Sequence, residues 1–232
     1  MPFFFQTKIG LAHIMIMYKD RFKKFGGEYI PDIIQYLVEV AKEDPTLTIT
    51  VGCDSIQARR KTIYAVTVMM YNTDIRKGAH VVFFRENCPK IRENSERLYK
   101  EAQYVHDVAT YLHDNLSGLY ERKDLTEFNR KKYKFHLLRC NGEYEHVPPH
   151  QEEAFIGRLT LSPEDMAEFK LVDIHVDFNP KEGTPNGRGM TKNKSYAAYK
   201  AYSPWLRGLG FRTWAKPDAP GASTAADLLL QE

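Results

Sequence analysis

The sequence predicts an α/β protein whose sheet begins with three antiparallel strands and continues with parallel strands joined by crossover helices. Three stretches rich in β-branched and apolar residues come first, separated by short polar connections, as in an antiparallel meander. After a long amphipathic helix, strand and helix patterns alternate, which is typical of parallel strands with right-handed crossovers. A chain of 232 residues, 43% of them hydrophobic, can bury one sizeable core.

Composition restricts the class of protein. Charged residues at 27% and aromatic residues at 12% are typical of a globular protein and argue against disorder. The formal charge of +3 is too small to indicate nucleic-acid binding by itself. Three widely spaced cysteines, Cys53, Cys88 and Cys140, contain no CxxC pair. They favour a reducing, cytoplasmic compartment over a disulfide framework or a zinc site.

The N-terminal residues 1–30 are predicted to be an extension ahead of the main domain, residues 31–232. Apolar runs within residues 1–17 are too short and interrupted to span a bilayer, so we expect no membrane association. We expect this segment to pack on the core or to form a homo-oligomer contact. Residues 117–168, which carry a basic run and scattered histidines, are predicted to be an insertion in the domain.

The first strand is predicted to end just before Asp54. A helix of about three turns begins at Pro31 and leads into this strand, at residues 48–52. Gly52 relaxes the backbone ahead of Asp54, and a charged group at a buried strand end is costly unless something pairs with it. A divalent metal is one such partner. The alternative is that Asp54 only closes a turn with Ser55. Further strands are predicted at residues 62–71 and 79–85.

A second acid lies on the long helix, residues 91–116, which carries a single apolar stripe. Glu101 lies at the edge of that stripe, whereas the other acids that we compared on this helix point away from it. We interpret Glu101 as a group that meets Asp54. The alternative is a snorkelling side chain with its carboxylate in water.

A third acid ends the fourth strand, residues 169–179. A period of two places the apolar residues on one face, and Asp173, His175 and Asp177 on the other. Asp173 is predicted to face solvent, whereas Asp177 lies at the strand tip. A Gly- and Lys-rich loop, a helix at 195–206, a strand at 211–215 and a helix at 222–230 follow. That last helix carries Asp227 on the face opposite its apolar one.

Three segments in order resemble the YkuK family of ribonuclease H-like proteins. The family pattern is roughly a Gly-Thr-Asp-Ser-Gln strand end, an Ile-His-Leu-Asp strand, and a Lys-Pro-Asp turn before an Ala-rich helix. The matching segments are Val51-Gly52-Cys53-Asp54-Ser55, Asp173-Ile174-His175-Val176-Asp177, and Ala215-Lys216-Pro217-Asp218 followed by Ser223-Thr224-Ala225-Ala226-Asp227. The chain departs from the pattern where Ile56 displaces Gln57 and where the loop after Asp177 is longer. The resemblance implies a ribonuclease H-like fold.

The resemblance also implies phosphodiester hydrolysis by a nuclease that acts on RNA, DNA or a hybrid. Carboxylates of this fold hold two Mg²⁺ or Mn²⁺ ions about 3.5–4 Å apart. By this resemblance Asp54 bridges both ions, and Glu101 and Asp177 each complete one. Asp227 lies at the looser ion, with Asp218 as its substitute.

Basic residues complete the implied site. Lys216 and His175 are assigned to support the acids or to face phosphate; the alternatives are a surface lysine and a packed strand histidine. Candidates for binding the nucleic-acid backbone are Arg59, Arg60, Lys61, Arg188, Lys192 and Lys194. No run of exposed aromatic residues interleaves with them to indicate single-strand stacking.

Two other functions stay open at this stage. One is a catalytically inactive ribonuclease H-like module that binds nucleic acid or serves a structural role. The other is a different enzyme of this fold, such as a junction resolvase or a proofreading exonuclease, although the first strand lacks the Asp-x-Glu pair of the proofreading type. Glycine-rich phosphate loops are absent from the sequence, which disfavours an ATPase of the actin type.

Overall fold

The computed structural model describes residues 18–43, 47–71, 79–116, 170–186 and 189–231, with the backbone alone for residues 184–186 and 189–192. The predicted N-terminal contact segment, residues 1–17, and the predicted insertion, residues 117–168, lie outside the described residues. Arg188 lies outside them as well. No helix in the described ranges is long and apolar enough to cross a membrane.

Eight strands and four α-helices make up the described chain. The strands are β1 (Lys23–Lys24), β2 (Thr48–Gln57), β3 (Lys61–Tyr71), β4 (Ala79–Pro89), β5 (Val172–Val176), β6 (Gly183–Asn186), β7 (Gly189–Lys192) and β8 (Thr213–Ala215). The α-helices are α1 (Ile33–Glu43), α2 (Asn94–Leu116), α3 (Tyr196–Gly208) and α4 (Asp227–Gln231), and a π-helical turn, Gly221–Ala226, leads directly into α4.

Six of the strands form one mixed sheet in the order β1-β4-β3-β2-β5-β8. The pairs β2–β3 and β3–β4 are antiparallel, whereas β2–β5 and β5–β8 are parallel. This arrangement confirms the predicted fold class, an antiparallel meander extended by parallel strands. The strands β6 and β7 form a separate antiparallel hairpin in the stretch where the sequence predicted a loop.

The two faces of the sheet are covered by different parts of the chain. Val51 and Cys53 of β2 belong to the main apolar core, together with Leu98 and Val105 of α2. A smaller cluster on the other face joins Ala65 and Phe83 to Ala226, Leu229 and Leu230 of the C-terminal segment. Alternate residues of β2 therefore face α2 or the C-terminal segment.

Residues 18–30 lie in the packed domain, although the sequence assigned them to the N-terminal extension. Tyr18 and Phe22 are fully buried in the main core. Their rings contact Phe84 of β4, with centroids 5.9 Å and 5.2 Å away. Next to them, β1 pairs with β4 at the edge of the sheet.

The sequence predicted that the first long strand would end before Asp54, and this prediction is wrong. β2 continues to Gln57, and Asp54 pairs with Ala65 in the middle of the ladder with β3. The continuation is possible because the last residues of β2 keep their ladder with β3, so that Gln57 pairs with Thr62. Asp54 is therefore a group within a strand, and the turn alternative is wrong.

The predicted solvent position of Asp173 is also wrong, since Asp173 is completely buried. Arg212 donates from Nε to Asp173 Oδ1 at 2.5 Å, and the Trp214 indole donates to Asp173 Oδ2 at 3.0 Å. The alternation along β5 was predicted correctly, but the second face of β5 is covered by protein. A buried carboxylate needs such partners, because desolvation of an unpaired charge is costly.

Candidate functional site

Polar side chains line the face of β2, β5 and β8 that the C-terminal segment covers. The strand registers pair Thr50 with Asp173, Gly52 with His175, and His175 with Trp214. Residues in register on parallel strands lie roughly 4.8 Å apart. The pairing thus sets polar groups side by side across three strands.

The candidate acids continue this pattern by one more step. Cys53 pairs with Val176, and Val176 pairs with Ala215. The next residues along the three strands are Asp54, Asp177 and Lys216, which are therefore neighbours at one edge of the sheet. The parallel register brings together three residues that lie far apart in sequence.

Asp177 is held by Lys216, whose Nζ lies 2.8 Å from Asp177 Oδ2. The other oxygen, Oδ1, is buried and has no hydrogen-bond partner among the described residues. Burial raises the pKa of the Asp177 carboxyl above its usual value, and Lys216 offsets part of that rise in pKa. Asp177 thus has one oxygen anchored and one available to a cation.

Asp54 is partly buried, and the pKa of its carboxyl group is shifted. Its Oδ1 accepts a hydrogen bond from the backbone N–H of Ser55 at 2.7 Å. Burial, followed by the charges of Asp177 and Asp227, raises the pKa of Asp54 to about 6. The mutual repulsion follows from the assembly of several carboxylates in one small region.

Glu101 is almost completely buried, at 2% exposure, so the snorkelling alternative is wrong. Its Oε1 accepts a hydrogen bond from Ser55 Oγ at 2.5 Å, and Arg97 Nη1 lies 3.1 Å away. Burial, followed by the charge of Asp54, raises the pKa of Glu101 to about 8. Its Oε2 is buried without a hydrogen-bond partner in the described chain.

Arg97 and Ser55 are the site residues that sequence reasoning missed. Ser55 follows Asp54 and faces the opposite side of β2, where it meets α2. Arg97 donates to the Ser55 carbonyl at 2.8 Å and to Ser55 Oγ at 2.6 Å. The sequence did contain a signal for Arg97, because it precedes Glu101 by four residues and residues at that spacing lie on one helix face.

Contacts of Gly221 with Gly52, Thr67 and His175 hold the C-terminal segment, which carries Asp227, against the sheet. We call these contacts the Gly221 clamp. The Gly221 N–H donates to His175 Nδ1 at 3.0 Å, and Thr67 Oγ1 donates to the Gly221 carbonyl at 2.8 Å. A Cβ on Gly52 would lie 2.4 Å from the Gly221 carbonyl carbon. Gly52 thus permits close backbone approach, a role beyond the predicted relaxation of the strand.

The charge of Asp227 reaches the acids on the sheet, since it raises the pKa of both Asp54 and Asp177. One Asp227 oxygen accepts a hydrogen bond from Gln231 at 3.1 Å. His175, in contrast, is buried at 1% exposure beneath the clamp. Because its Nδ1 accepts a hydrogen bond, a neutral His175 ring carries its proton on Nε2.

The structure describes the side chains of four of the six residues predicted to bind the nucleic-acid backbone. Arg59, Arg60 and Lys61 are exposed at the turn between β2 and β3, beyond Asp54 in the direction of β2. Lys194 is exposed next to Ser195, whose Oγ accepts a hydrogen bond from the Asn179 N–H at 3.0 Å. For Lys192 the backbone in β7 is described and the side chain is not.

The donor set suits a hard divalent cation, because it consists of carboxylate oxygens, and two buried ones have no hydrogen-bond partner within the described part of the chain. The arrangement is not a finished metal site. No group of three or more His, Cys, Asp or Glu side chains in the described ranges has a metal-holding arrangement. Glu101 is turned toward Ser55 and Arg97, and Asp177 toward Lys216.

One family model matches part of the chain. Residues 30–137 match the model of a family described as Ribonuclease H-like. The match supports a ribonuclease H-like family. The matched range contains Asp54 and Glu101, and it ends before β5 and β8, which lead to Asp177 and Lys216. No curated protein and no solved structure matches the chain.

Proposed function

We propose that this ribonuclease H-like protein is a metal-dependent nuclease that hydrolyses phosphodiester bonds on a carboxylate cluster. The observation that carries the proposal is the convergence of Asp54 and Asp177 on neighbouring strands, with Glu101 and Asp227 in electrostatic contact with them. Acids with strongly shifted pKa values that lie together at one edge of a sheet are candidate catalytic residues. The family match supports the fold of such an enzyme.

Asp54, Glu101, Asp177 and Asp227 would hold two Mg²⁺ or Mn²⁺ ions. Bound ions of this kind activate water and stabilise the leaving oxygen. Asp177 Oδ1 and Glu101 Oε2 are buried and have no hydrogen-bond partner in the described ranges, so each is free to accept a cation. Lys216 orients Asp177 through its other oxygen, and Ser55 orients Glu101 in the same way.

The nucleic-acid backbone would approach the edge of the sheet where these acids lie. Arg59, Arg60 and Lys61 are exposed beyond Asp54 and carry positive charge toward a polyanion. Lys194 adds a further cation from the segment that follows the β6–β7 hairpin. We assign these residues to backbone contacts that carry no sequence information.

The decisive experiment combines metal binding with cleavage. Calorimetric titration with Mn²⁺ should detect binding to the wild-type protein and none to Asp54→Asn. Labelled RNA–DNA hybrid, single strands and four-way junctions, each incubated with Mn²⁺, should reveal which polymer is cut. Cleavage of one of them that is lost in Asp54→Asn supports the nuclease.

A catalytically inactive nucleic-acid-binding or structural module is the second candidate. It is favoured by the internal pairing of the acids, because Arg97 and Lys216 already neutralise Glu101 and Asp177. Failure of the wild-type protein to bind Mn²⁺ and to cut any of the polymers would favour this module over the enzyme.

A further inference from the structure

Two pairs of aromatic rings lie where α2 packs against α3. Tyr99 of α2 and Tyr202 of α3 form the first pair, with ring centroids 5.4 Å apart. His106 of α2 and Trp205 of α3 form the second pair, with centroids 5.1 Å apart. Tyr99 and Trp205 are the outer members, and they are 42% and 38% exposed. We call these four residues the aromatic seam.

A buried phenylalanine supports each pair from the side of the core. Phe178 is completely buried, and its ring centroid lies 6.1 Å from that of Tyr202. Phe211 is buried as well, and it meets the His106 ring edge-on with centroids 6.1 Å apart. Aromatic rings that packing holds in place at a surface can bind a flat ligand at little further cost in side-chain freedom.

The α3 side of the aromatic seam is basic. α3 carries Lys200 and Arg207, and its sequence contains no aspartate or glutamate. Exposed Lys194 lies just before this helix. On the α2 side, Asp107 is paired locally with His106, whose Nδ1 lies 2.9 Å from Asp107 Oδ1. Surfaces that bind single-stranded nucleic acid combine cations, which follow the phosphates, with exposed rings, on which the bases stack.

The aromatic seam begins beside the acids of the candidate site. Phe178, which supports the first pair, directly follows Asp177. Tyr99 lies two residues before Glu101 on α2. Tyr99 and His106 are seven residues apart, so they share one face of α2 and are separated by roughly 10.5 Å along its axis. A strand that passes the acids would therefore meet first one pair of rings and then the other.

We propose that the aromatic seam binds single-stranded nucleic acid, whose unpaired bases stack on Tyr99 and Trp205. Bases within a duplex are covered by their neighbours, whereas unpaired bases can be splayed out and stacked on aromatic side chains. The substrate class is therefore a single strand, or the single-stranded part of a longer polymer. This inference rests on the proposed function, because it names the polymer that the candidate acids would cut.

The fluorescence of Trp205 reports on stacking directly. The chain contains two tryptophans, and the other, Trp214, is buried and donates its indole N–H to Asp173. The titration uses Asp54→Asn without added metal, so that binding is measured in the absence of cleavage. DNA or RNA single strands of about 12 nucleotides should quench the emission. A blunt duplex and an abasic strand of the same length should bind about tenfold more weakly and should not quench it.

Anisotropy of a labelled single strand measures the affinity of the variants. Trp205→Ala and Tyr99→Ala should each raise the Kd about fivefold or more, because each removes a stacking ring. Trp205→Phe keeps a ring and should bind within about threefold of the parent protein. Tyr29→Ala is the matched control, since it removes a 55% exposed ring near β1, at the opposite edge of the sheet from β8. Its Kd should be unchanged, and circular dichroism checks that each variant is folded.

The outcomes separate this inference from the proposed function. Single-strand binding with the expected variant pattern, but no cleavage by the wild-type protein with Mn²⁺, would refute the nuclease and leave the aromatic seam as a binding site. Cleavage of a duplex alone, or unchanged affinity in both alanine variants, would overturn the aromatic seam and leave the nuclease proposal standing. Self-association that Trp205→Ala abolishes, without strand binding, would show that this surface holds a second copy of the chain instead.

Discussion

Asp54 and Asp177 are neighbours across two parallel strands, one residue beyond the register pair Cys53–Val176. This relationship adds to the raised pKa of Asp54, since burial raises the pKa of both carboxyl groups and the Asp177 charge raises that of Asp54 further. It also explains why an acid in mid-strand and an acid at a strand end belong to one cluster. Asp54 lies within the ladder between β2 and β3, whereas Asp177 directly follows the last residue of β5.

Removing the Asp54 charge should lower the pKa of Glu101. The Asp54 charge is the second-largest cause of the rise of that pKa to about 8, after burial. In metal-free Asp54→Asn, a ¹³C NMR titration should show the Glu101 pKa lower than in wild type but still above the ordinary value of 4.5. Glu93→Gln, which removes an exposed acid just before α2, should leave it unchanged. An unaltered Glu101 pKa in Asp54→Asn would show that the two carboxylates do not interact.

Glu101 should make the metal-free protein less stable as the pH rises. Because its pKa is raised in the folded protein, the folded state retains a proton that the unfolded chain releases between pH 4.5 and about 8. Stability therefore falls across that window and levels off above it. Glu101→Gln should reduce the slope, most clearly between pH 6 and 8 where Asp54 contributes little, and gain a few kcal/mol at pH 8, roughly as the shift implies. Urea unfolding at several pH values measures this, and an equal slope in both proteins would contradict it.

The approach of Gly52 to Gly221 should not tolerate a side chain. In Gly52→Ala the new Cβ would meet backbone atoms of Gly221 and Ala222 at 2.4 and 2.6 Å. We expect a loss of about 1–3 kcal/mol or more in the free energy of unfolding, because backbone must move. Gly208→Ala is the matched control, since a Cβ there meets nothing within 4 Å. Equal stability of Gly52→Ala and wild type would mean that the C-terminal segment is not clamped there.

The buried pair of Asp173 and Arg212 should be sensitive to the loss of one partner. Asp173→Asn leaves the Arg212 guanidinium, which is 2% exposed, without its counter-charge. The expected cost is about 3–5 kcal/mol in urea unfolding. Asp173→Leu combined with Arg212→Met should cost less than the sum of the single changes. Lys24→Gln, at the exposed pair with Glu28, should leave the unfolding midpoint unchanged. Additive losses in the double variant would exclude a coupled pair.

Periodicity and turn signals were sufficient to predict the strand order of the meander and the long helix. They also identified Glu101 as anomalous, because a carboxylate on an apolar stripe is unusual in any helix. What they did not predict was the end of β2. A strand continues when its neighbour offers a ladder, and this depends on the register with β3, which local sequence does not determine.

The two faces of β5 show a second limit. Alternation placed Asp173, His175 and Asp177 together, but it does not tell which face another element will cover. Gly221 of the C-terminal segment packs on His175, and Arg212 and Trp214 enclose Asp173, so both residues are interior groups with fixed partners. The strand patterns also selected Asp54 and Asp177, which lie far apart in sequence and follow the register pair Cys53–Val176. Arg97 escaped notice because an arginine four residues before a glutamate is common on helix surfaces.

The contact between Gly52 and Gly221 links an early strand to a segment that leaves the ribosome much later. Before that segment is synthesised, β2 and β3 can pair, but the acidic edge is not yet covered and lacks Asp227. Domains complete their packing only when the last elements are available. Translation therefore postpones assembly of the acidic edge until the segment that carries Gly221 and Asp227 has been synthesised, and a product truncated before that segment would lack Asp227.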